Sequence, residues 1–470
     1  MKPIISLFSI LFFISLQAMS QGLISKSLHS TVTCGSYDFM ESMDRQSKGY
    51  LDLSNQYLQN LKSIVEENSL KRAQNEVLRV PVVFHVVSNQ PDENLDDSVL
   101  LNQIEVLNAN FNREISDTVN LRSEFSSLVS AANIEFYLAQ KDPEGNVTNG
   151  ITRTQTPITN FGGVLTFKST QQAEIQKWIN DSLMYNLFRI TQDSLGGKTA
   201  WNSNEYFNIW IGNLTILETE YNNFEELVFL GLSTPPNDHS SWPSSVVGEL
   251  NLRADGTLMH YLTIGSNNPN LFEGAYSVYN GVTNTGKMLV HEAGHYLGLR
   301  HIWGDGNCSM DDYIDDTPKA SNSSLYNCKE NKNSCLDTIN GGDLPDMIEN
   351  YMDYSGASCQ NSFTTGQVAI MRAVLDEQRN DLVINSVNDD LFGQEIKWYP
   401  NPTKGVINLE FKSVLKSVEI SVFDIQGKLV NRINSNQSSR LTLAINGGLG
   451  IYFIRVIAND KTAVFKVVKN

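Results

Sequence analysis

Three of the seven histidines in this 470-residue chain fall within eleven positions, in the stretch HEAGHYLGLRH from 291 to 301. On a helix His291 and His295 are about one turn apart, so both imidazoles leave the same face. That spacing suits two ligands of a tetrahedral zinc ion. Glu292 can lie beside the metal without binding it and take a proton from an attacking water. The pattern therefore predicts zinc-dependent hydrolysis.

Gly298 and His301 extend the motif and favour a catalytic zinc site over a structural one. Glycine can adopt a positive φ, so the helix can end at Gly298 and the chain can reverse. The reversal brings His301 round as a third ligand and leaves a fourth position open, as catalytic zinc requires. The alternatives are a helix with ordinary surface histidines and a zinc site that has lost its catalysis, and the presence of Glu292 disfavours the second.

The surrounding segments predict a mixed α/β domain that can hold this helix. The continuous apolar run RVPVVFHVV predicts a buried strand, and the segment after it has apolar residues at helical spacing behind a possible Asp97 cap. The predicted strands cover 79–87, 132–140 and 206–214, and a final helix covers 364–382. Residues 300–362 are rich in Gly, Asn, Ser, Asp and Cys, which predicts irregular loops.

The longer string HEAGHYLGLRHIWGD…DDTP…NYMDYS resembles the pappalysin family, within the metzincin clan of zinc endopeptidases. The similarity extends over about 79–382. The resemblance implies an α/β (α+β) zincin fold of metzincin type. It also implies that Met352 forms a tight turn beneath the metal and that Tyr354 helps to stabilise the tetrahedral intermediate.

The five cysteines divide into a cluster of four and one that stands apart. Four cysteines allow three pairings, and the resemblance implies the pairs Cys308–Cys335 and Cys328–Cys359. Cys34, in TCGSYDF, matches the pro-segment cysteine of the family. It would thus be a fourth zinc ligand in a latent precursor; the alternative is an accidental unpaired thiol.

The loop SMDDYIDDTP, at 309–318, offers clustered carboxylates and a hydroxyl, which are ligands that calcium prefers. The resemblance implies calcium ligands at Asp311, Asp312, Asp315 and Thr317. A solvated acidic loop is the alternative.

Ser358 marks a departure from the family pattern. Relatives that cleave beside Arg or Lys carry an acidic residue just before the last loop cysteine, at the base of the pocket for the residue after the scissile bond. A serine there removes the complement for a basic side chain. Basic specificity is therefore not expected.

The N-terminus and the composition predict an exported protein. Lys2, an apolar run to about Leu16 and small residues up to Ser20 form the layout of a signal peptide, residues 1–20. The net charge of −17 argues against nucleic acid or an anionic membrane as the main partner. No other segment approaches transmembrane length.

The C-terminal residues 393–470 read as short alternating strands and predict a small all-β sandwich. WYPNPTKGVINLEF, VFDIQGKLV and GLGIYFIRV resemble the sorting domain of bacterial type IX secretion substrates. The resemblance implies the type IX secretion machinery as a partner, and secretion or display at the cell surface after passage through the periplasm. A lectin-like binding module is the alternative.

The sequence thus predicts a secreted zinc metalloendopeptidase that acts on proteins or peptides and is made as a latent zymogen. The predicted segments are a signal peptide (1–20), a pro-segment (21–78), a metzincin catalytic domain (79–384), a linker (385–392) and the sorting domain (393–470). The rival hypotheses are a surface adhesin with a vestigial zinc site and a zinc hydrolase for non-peptide substrates.

Overall fold

The structure is a computed structural model. It describes residues 32–46, 48–67, 76–166, 186–219, 226–236, 255–273, 277, 280–339, 341–383, 396–426, 428–458 and 461–470. The predicted signal peptide and linker lie outside these residues.

The described residues form strands and helices in the following order along the chain. The helices are α1 (Ser36–Gln46), α2 (Tyr50–Glu66), α3 (Asp97–Phe111), α4 (Asn280–Thr283), α5 (Lys287–Tyr296) and α6 (Thr365–Asp376). The strands are β1 (Val32–Cys34), β2 (Leu78–Ser88), β3 (Ile134–Leu138), β4 (Ile151–Gln155), β5 (Gly163–Thr166), β6 (Phe207–Gly212), β7 (Thr215–Thr219), β8 (Glu226–Ser233), β9 (Thr257–His260), β10 (Ile396–Tyr399), β11 (Val406–Asp424), β12 (Leu429–Ala444), β13 (Gly450–Ala458) and β14 (Lys461–Lys469). No described helix has both the length and the hydrophobicity needed to cross a membrane.

Nine strands form one mixed sheet in the order β3-β2-β6-β9-β8-β7-β5, with β4 also paired to β2 and β1 to β8. β2 pairs in parallel with β3 and β4 along one edge and with β6 along the other. Ten of its eleven residues are buried, which explains why its sequence is almost continuously apolar. The strands predicted at 79–87, 132–140 and 206–214 are confirmed as β2, β3 and β6.

α3 and Arg379, a residue that follows α6, hold the two ends of α5. The buried amide of Gln103 in α3 donates to Gly286 O and accepts from Gly265 N–H, so it ties α3 to the residue before α5. At the far end of α5, Arg379 Nε donates to Tyr296 O. The helix that carries the histidines is therefore fixed at both ends.

Two helix starts show the capping chemistry in detail. The predicted cap of α3 is wrong by one residue, because the Asp96 carboxylate, and not that of Asp97, accepts from Ser98 N–H. α6 begins at a capping box in which Thr364 and Gln367 satisfy each other's backbone N–H groups. The helix predicted at 364–382 is interrupted, since α6 ends at Asp376 and a turn at 377–379 separates it from the helical residues 380–383.

The N-terminal residues before β2 pack closely against the rest of the α/β domain. β1 runs parallel to β8, with Cys34 opposite Gly231. Phe39, Met40 and Met43 of α1 are buried in one hydrophobic cluster with residues of β8 and β9, and α2 contributes Tyr57, Leu58 and Leu61 to the main core. This predicted pro-segment therefore forms part of the folded core.

Between α5 and α6 the described residues contain no regular helix or strand, as predicted for this loop-rich segment. Disulfides join Cys308 to Cys335 and Cys328 to Cys359, with Cα separations of 5.5 and 6.0 Å. The pairing is the one that the family resemblance implies.

The C-terminal strands β10–β14 form a separate antiparallel sheet. The first half of the 19-residue β11 pairs with β10 and the second half with β13, while β12 pairs along most of its length. Apolar side chains from both halves of β11 enter one core. The all-β C-terminal domain that the alternating pattern predicts is confirmed.

Candidate metal centre and active site

α5 ends in a turn that returns the chain to the two histidines of the HExxH motif. Gly298 has φ +93°, and its N–H donates to His295 O while Leu299 N–H donates to Gly294 O, both at 2.9 Å. This is the Schellman arrangement of helix ends. It brings His301 back alongside the helix, as predicted from the glycine.

The three histidine Nε2 atoms converge. His295 Nε2 lies 3.1 Å from both His291 Nε2 and His301 Nε2. On the opposite side of the rings, His291 Nδ1 donates to Tyr351 O (2.6 Å) and His295 Nδ1 donates to Leu299 O (2.9 Å). Because a carbonyl oxygen only accepts, each Nδ1 carries the proton and each Nε2 turns a lone pair towards the common centre.

Two residues that follow the third histidine, Trp303 and Asp305, hold His301. Asp305 forms a hydrogen bond with His301 Nδ1, and the indole of Trp303 stacks on the imidazole with a centroid distance of 4.3 Å and an interplanar angle of 5°. Sequence reasoning missed Asp305, although its place four residues after the third histidine offered a signal, since ligating histidines commonly donate to a carboxylate.

The donor set fits a zinc ion. One donor atom from each of Cys34, His291, His295 and His301 lies within 4.8 Å of the others, and all four residues are buried. Lone pairs facing each other at 3.1 Å repel unless a cation lies between them. A proton does not supply that cation, because burial lowers the pKa of His291 to about 3. Nitrogen and sulfur donors are those that tetrahedral zinc prefers.

Glu292 is fully buried beside the histidines. Burial raises the pKa of its carboxyl to about 7. Its Oε2 accepts from Ser36 Oγ at 3.1 Å, and its main-chain carbonyl accepts from Ser233 Oγ at 2.7 Å. A Cβ at Gly231 would lie 2.7 Å from Glu292 Cγ, so glycine in β8 makes room for the carboxylate. No local pattern in the sequence indicated a role for Gly231 or Ser36.

Met352 lies directly against α5. Its sulfur is 2.5 Å from where a Cβ on Gly294 would stand, and it is fully buried. Asn350 Oδ1 accepts from Met352 N–H and so fixes the tight turn. The fourth residue of the HEAGH motif, Gly294, is therefore glycine because the methionine occupies the space of a side chain.

Tyr354 lies on the other side of the histidines. Its ring centroid is 5.6 Å from that of His291 and 4.9 Å from that of His301. Its hydroxyl donates to the main-chain oxygen of Cys34 at 3.3 Å. The phenol therefore points at a backbone carbonyl beside the three histidines, and the catalytic role of Tyr354 stays a prediction.

Cys34 is the free cysteine of the chain and is buried. Its sulfur accepts from Ser36 N–H at 3.4 Å. Burial, followed by the charge of Glu292, raises the pKa of the thiol well above its usual range. A thiolate at this position therefore depends on a neighbouring cation, which is the role predicted for zinc in the latent form.

The residues predicted as calcium ligands lie in one loop, but the structure does not bring three of their carboxylates together. Among the described residues, the Cys34–histidine set is the group of three or more acidic, His or Cys donors that lies within 4.8 Å. Asp312 and Thr317 are buried, whereas Asp315 is exposed and pairs with Lys62 Nζ of α2 at 2.6 Å. Asp311 Oδ1 caps the local turn by accepting from Tyr313 N–H.

Comparisons with known proteins agree with this geometry. The sequence profile of the family described as "Pregnancy-associated plasma protein-A" matches residues 262–376, and that of "Secretion system C-terminal sorting domain" matches residues 397–470. A solved structure of a promirolysin mutant from Tannerella forsythia is 31% identical, covers 76% of this chain and 98% of its own, and superposes with a TM-score of 0.55.

Curated relatives match over a part of this chain. An extracellular metalloprotease of Arthroderma benhamiae is 40% identical over 97 residues, which are 20% of this chain and 31% of the relative. One from Pyricularia oryzae is 43% identical over 96 residues, which are 20% and 32% of the two chains. The chain thus spans about a third of the length of the curated relatives that it matches.

The zincin-like sheet and the histidine centre define a metallopeptidase of the metzincin type, which confirms the predicted fold class. Within that class, the chain belongs to the pappalysin family and carries a C-terminal sorting domain of the type IX kind.

Proposed function

We propose that this protein is a secreted zinc-dependent metalloendopeptidase that is made as a latent precursor and cleaves peptide bonds in proteins. The observation that carries the proposal is the convergence of three unprotonated histidine Nε2 atoms beside the buried carboxyl of Glu292.

His291, His295 and His301 would hold the zinc. A zinc ion at this position supplies Lewis acidity towards a carbonyl oxygen and towards water. The backbone oxygens of Tyr351 and Leu299 and the Asp305 carboxylate fix the rings in the ligating tautomer.

Glu292 would move the proton. A carboxyl with a pKa of about 7 can accept a proton from the attacking water and return it to the leaving amine near neutral pH. The Tyr354 hydroxyl would donate a hydrogen bond to the oxygen on which negative charge develops. That hydroxyl already donates to the Cys34 carbonyl, the nearest substitute for a substrate carbonyl in the precursor.

The N-terminal segment would keep the enzyme latent by contacting the three histidines, Glu292 and Tyr354 at the same time. Cys34 places its sulfur among the histidines, Ser36 holds Glu292, and the Cys34 carbonyl takes the Tyr354 hydroxyl. Removal of the segment releases all three. The matched sorting domain supports export through the type IX system to the cell surface or the medium.

A structural calcium ion in the acidic loop is part of the same proposal. Burial raises the pKa of Asp312 well above its usual range, so an ionised carboxylate there gains from a bound cation. Asp311, Asp315 and Thr317 would complete the ligands together with backbone oxygens.

The experiment that tests the proposed function is Glu292→Gln in the mature enzyme. We expect hydrolysis of casein to fall by at least about 10²-fold while the zinc content, measured by atomic absorption, stays at one per chain. Undiminished proteolysis by Glu292→Gln would contradict the assignment. Binding of a surface ligand without any proteolysis by the wild type would favour an adhesin with a vestigial zinc site. Chelator-sensitive hydrolysis of non-peptide substrates alone would favour a zinc hydrolase for such substrates.

A further inference from the structure

The Tyr354 hydroxyl loses its partner if the N-terminal segment is removed, as we propose. In the precursor that partner is the main-chain oxygen of Cys34, at 3.3 Å. A hydroxyl that donates to a developing oxyanion contributes most when its ring is already held in place, because no reorganisation is then needed during the reaction. The contacts that hold the Tyr354 ring without Cys34 therefore bear directly on the proposed chemistry.

Two aromatic rings contact the Tyr354 ring in addition to the histidines. The indole of Trp303 meets it edge-on, with a centroid distance of 4.9 Å and an interplanar angle of 73°. The ring of Tyr326 lies parallel to it, with a centroid distance of 6.1 Å and an interplanar angle of 5°. Trp303 also stacks on the imidazole of His301, so a substitution there would disturb a metal ligand as well. Tyr326 is therefore the better position for a test of how the ring is held.

Tyr326 belongs to a strained turn at 324–327. Asn327 N–H donates to Ser324 O at 3.0 Å, and the two central residues, Leu325 and Tyr326, have φ values of +49° and +59°. A turn with two positive φ values favours asparagine and glycine at its centre, and bulky residues there are outliers. Strain of this kind persists only where the surrounding structure fixes it, and it clusters at functional sites.

The contacts that fix this turn converge on Tyr354 and the residue before it. Ser324 N–H donates to the buried Asp353 Oδ1 at 3.1 Å, and Tyr326 N–H donates to Tyr354 O at 2.6 Å. The residue directly after the turn, Cys328, is held by a disulfide. Tyr326 thus contacts Tyr354 twice, through its backbone N–H and through its ring.

We propose that Tyr326 is a positioning residue for Tyr354. The strained turn sets the Tyr326 ring against the Tyr354 phenol and keeps that phenol in place for the oxyanion once the N-terminal segment has left. This inference rests on the proposed function, because Tyr326 acts only through the Tyr354 hydroxyl.

The test is Tyr326→Asn in the mature enzyme, because asparagine adopts a positive φ more easily than tyrosine and removes the ring. We expect the variant to fold and to bind one zinc per chain, while kcat on a peptide substrate falls by about 3- to 10-fold and KM stays within about twofold. The Ki of a phosphinic peptide, whose phosphinate oxygen takes the place of the oxyanion, should rise by the same factor. A purely structural role for Tyr326 predicts no loss, since asparagine suits the turn better.

A double-mutant cycle tests the link to Tyr354. Tyr326→Asn added to Tyr354→Phe should lower kcat by less than about twofold further, because the hydroxyl that the ring positions is then absent. Tyr326→Phe keeps the ring and should retain kcat within about twofold of the wild type. Leu325→Ala is the matched control, because Leu325 lies in the same turn and its side chain is exposed.

A wild-type kcat or an unchanged Ki in Tyr326→Asn would overturn the inference. So would an equal loss with and without the Tyr354 hydroxyl, full activity of Tyr354→Phe, or an equal loss in Leu325→Ala. If Tyr326→Asn does not fold, Tyr326→Ala takes its place in both measurements. Failure of the proposed function has a different signature, because a zinc-loaded wild-type enzyme would then cleave no peptide.

Discussion

Ser36 gives the sharpest test of how the N-terminal segment is held on the active site. Its hydroxyl donates to Glu292 Oε2 at 3.1 Å and accepts from Ser233 N–H at 2.9 Å. The residue is 3% exposed. Ser36→Ala in the precursor removes both hydrogen bonds and leaves the fold of α1 unchanged, since alanine is the better helix former.

The expected cost follows from these two contacts. A hydrogen bond to a charged group is worth about 1.5–3 kcal/mol, and a neutral one about 0.5–1.5 kcal/mol. The freed groups regain water only when the segment lifts off. The closed state loses about 2–3 kcal/mol relative to the open state, the lower part of the summed range, because the Glu292 carboxyl, with a pKa of about 7, is only partly ionised. At about 1.4 kcal/mol per factor of ten, the open population rises by about 30- to 150-fold.

The free thiol of Cys34 reports this population directly. We expect a small thiol reagent under native conditions to label the Ser36→Ala precursor about 30- to 150-fold faster than the wild-type precursor. Ser63→Ala is the matched control, because the Ser63 hydroxyl bonds only to Gln59 O within α2. The two precursors should be held at equal zinc loading.

Labelling of Ser36→Ala at the wild-type rate would refute the reasoning. So would a wild-type Cys34 that reacts as fast as it does in the denatured chain, because the sulfur would then not be held at the histidines.

Two further predictions concern the stability of the α/β domain. Burial lowers the pKa of His85 to about 4, so the folded protein stays unprotonated there while the unfolded chain, with a pKa near 6.5, takes up a proton. The stabilisation from His85 is complete above about pH 6.5 and is lost by about 1.4 kcal/mol per pH unit down to about pH 4. In urea unfolding, His85→Gln should reduce the pH slope of the free energy of unfolding by this amount, and an unchanged slope would contradict the assignment. Arg379 pairs with both carboxylate oxygens of Asp255 and covers the Tyr296 ring at 3.6 Å. Arg379→Met should therefore lower the free energy of unfolding by about 3–5 kcal/mol. A loss below about 1 kcal/mol in the same assay would show that the pair is dispensable.

The sequence predicted the parts of the site that are local in the chain or that belong to a family motif. The placement of His291 and His295 follows from helix periodicity, and the return of His301 follows from Gly298. Met352 and Tyr354 required the family pattern, because their side chains reach the histidines across more than fifty residues of irregular loop.

The contacts that the sequence could not reveal join distant segments. Ser36 lies 256 residues before Glu292. Gly231 leaves space for the Glu292 side chain only because β8 passes directly over it. Lys287 Nζ donates to Ala357 O and Gln360 O, and these contacts depend on how the disulfide-bonded loop folds. The role of the acidic loop in binding calcium stays a prediction.

The pairing of β1 with β8 has a consequence for what happens when the precursor matures. β1 covers the backbone of β8 from Val228 to Gly231, and α1 covers apolar side chains in the same region, among them Phe229 and Leu232. If maturation removes this segment, as we propose, a sheet edge opens next to an apolar surface, and such an edge is a template for intermolecular strand addition and aggregation. The segment thus also protects the protein from aggregation. The newly exposed strand edge can bind an extended peptide as an additional strand. Colloidal stability of the mature enzyme should therefore rise when a peptide substrate or inhibitor occupies the cleft.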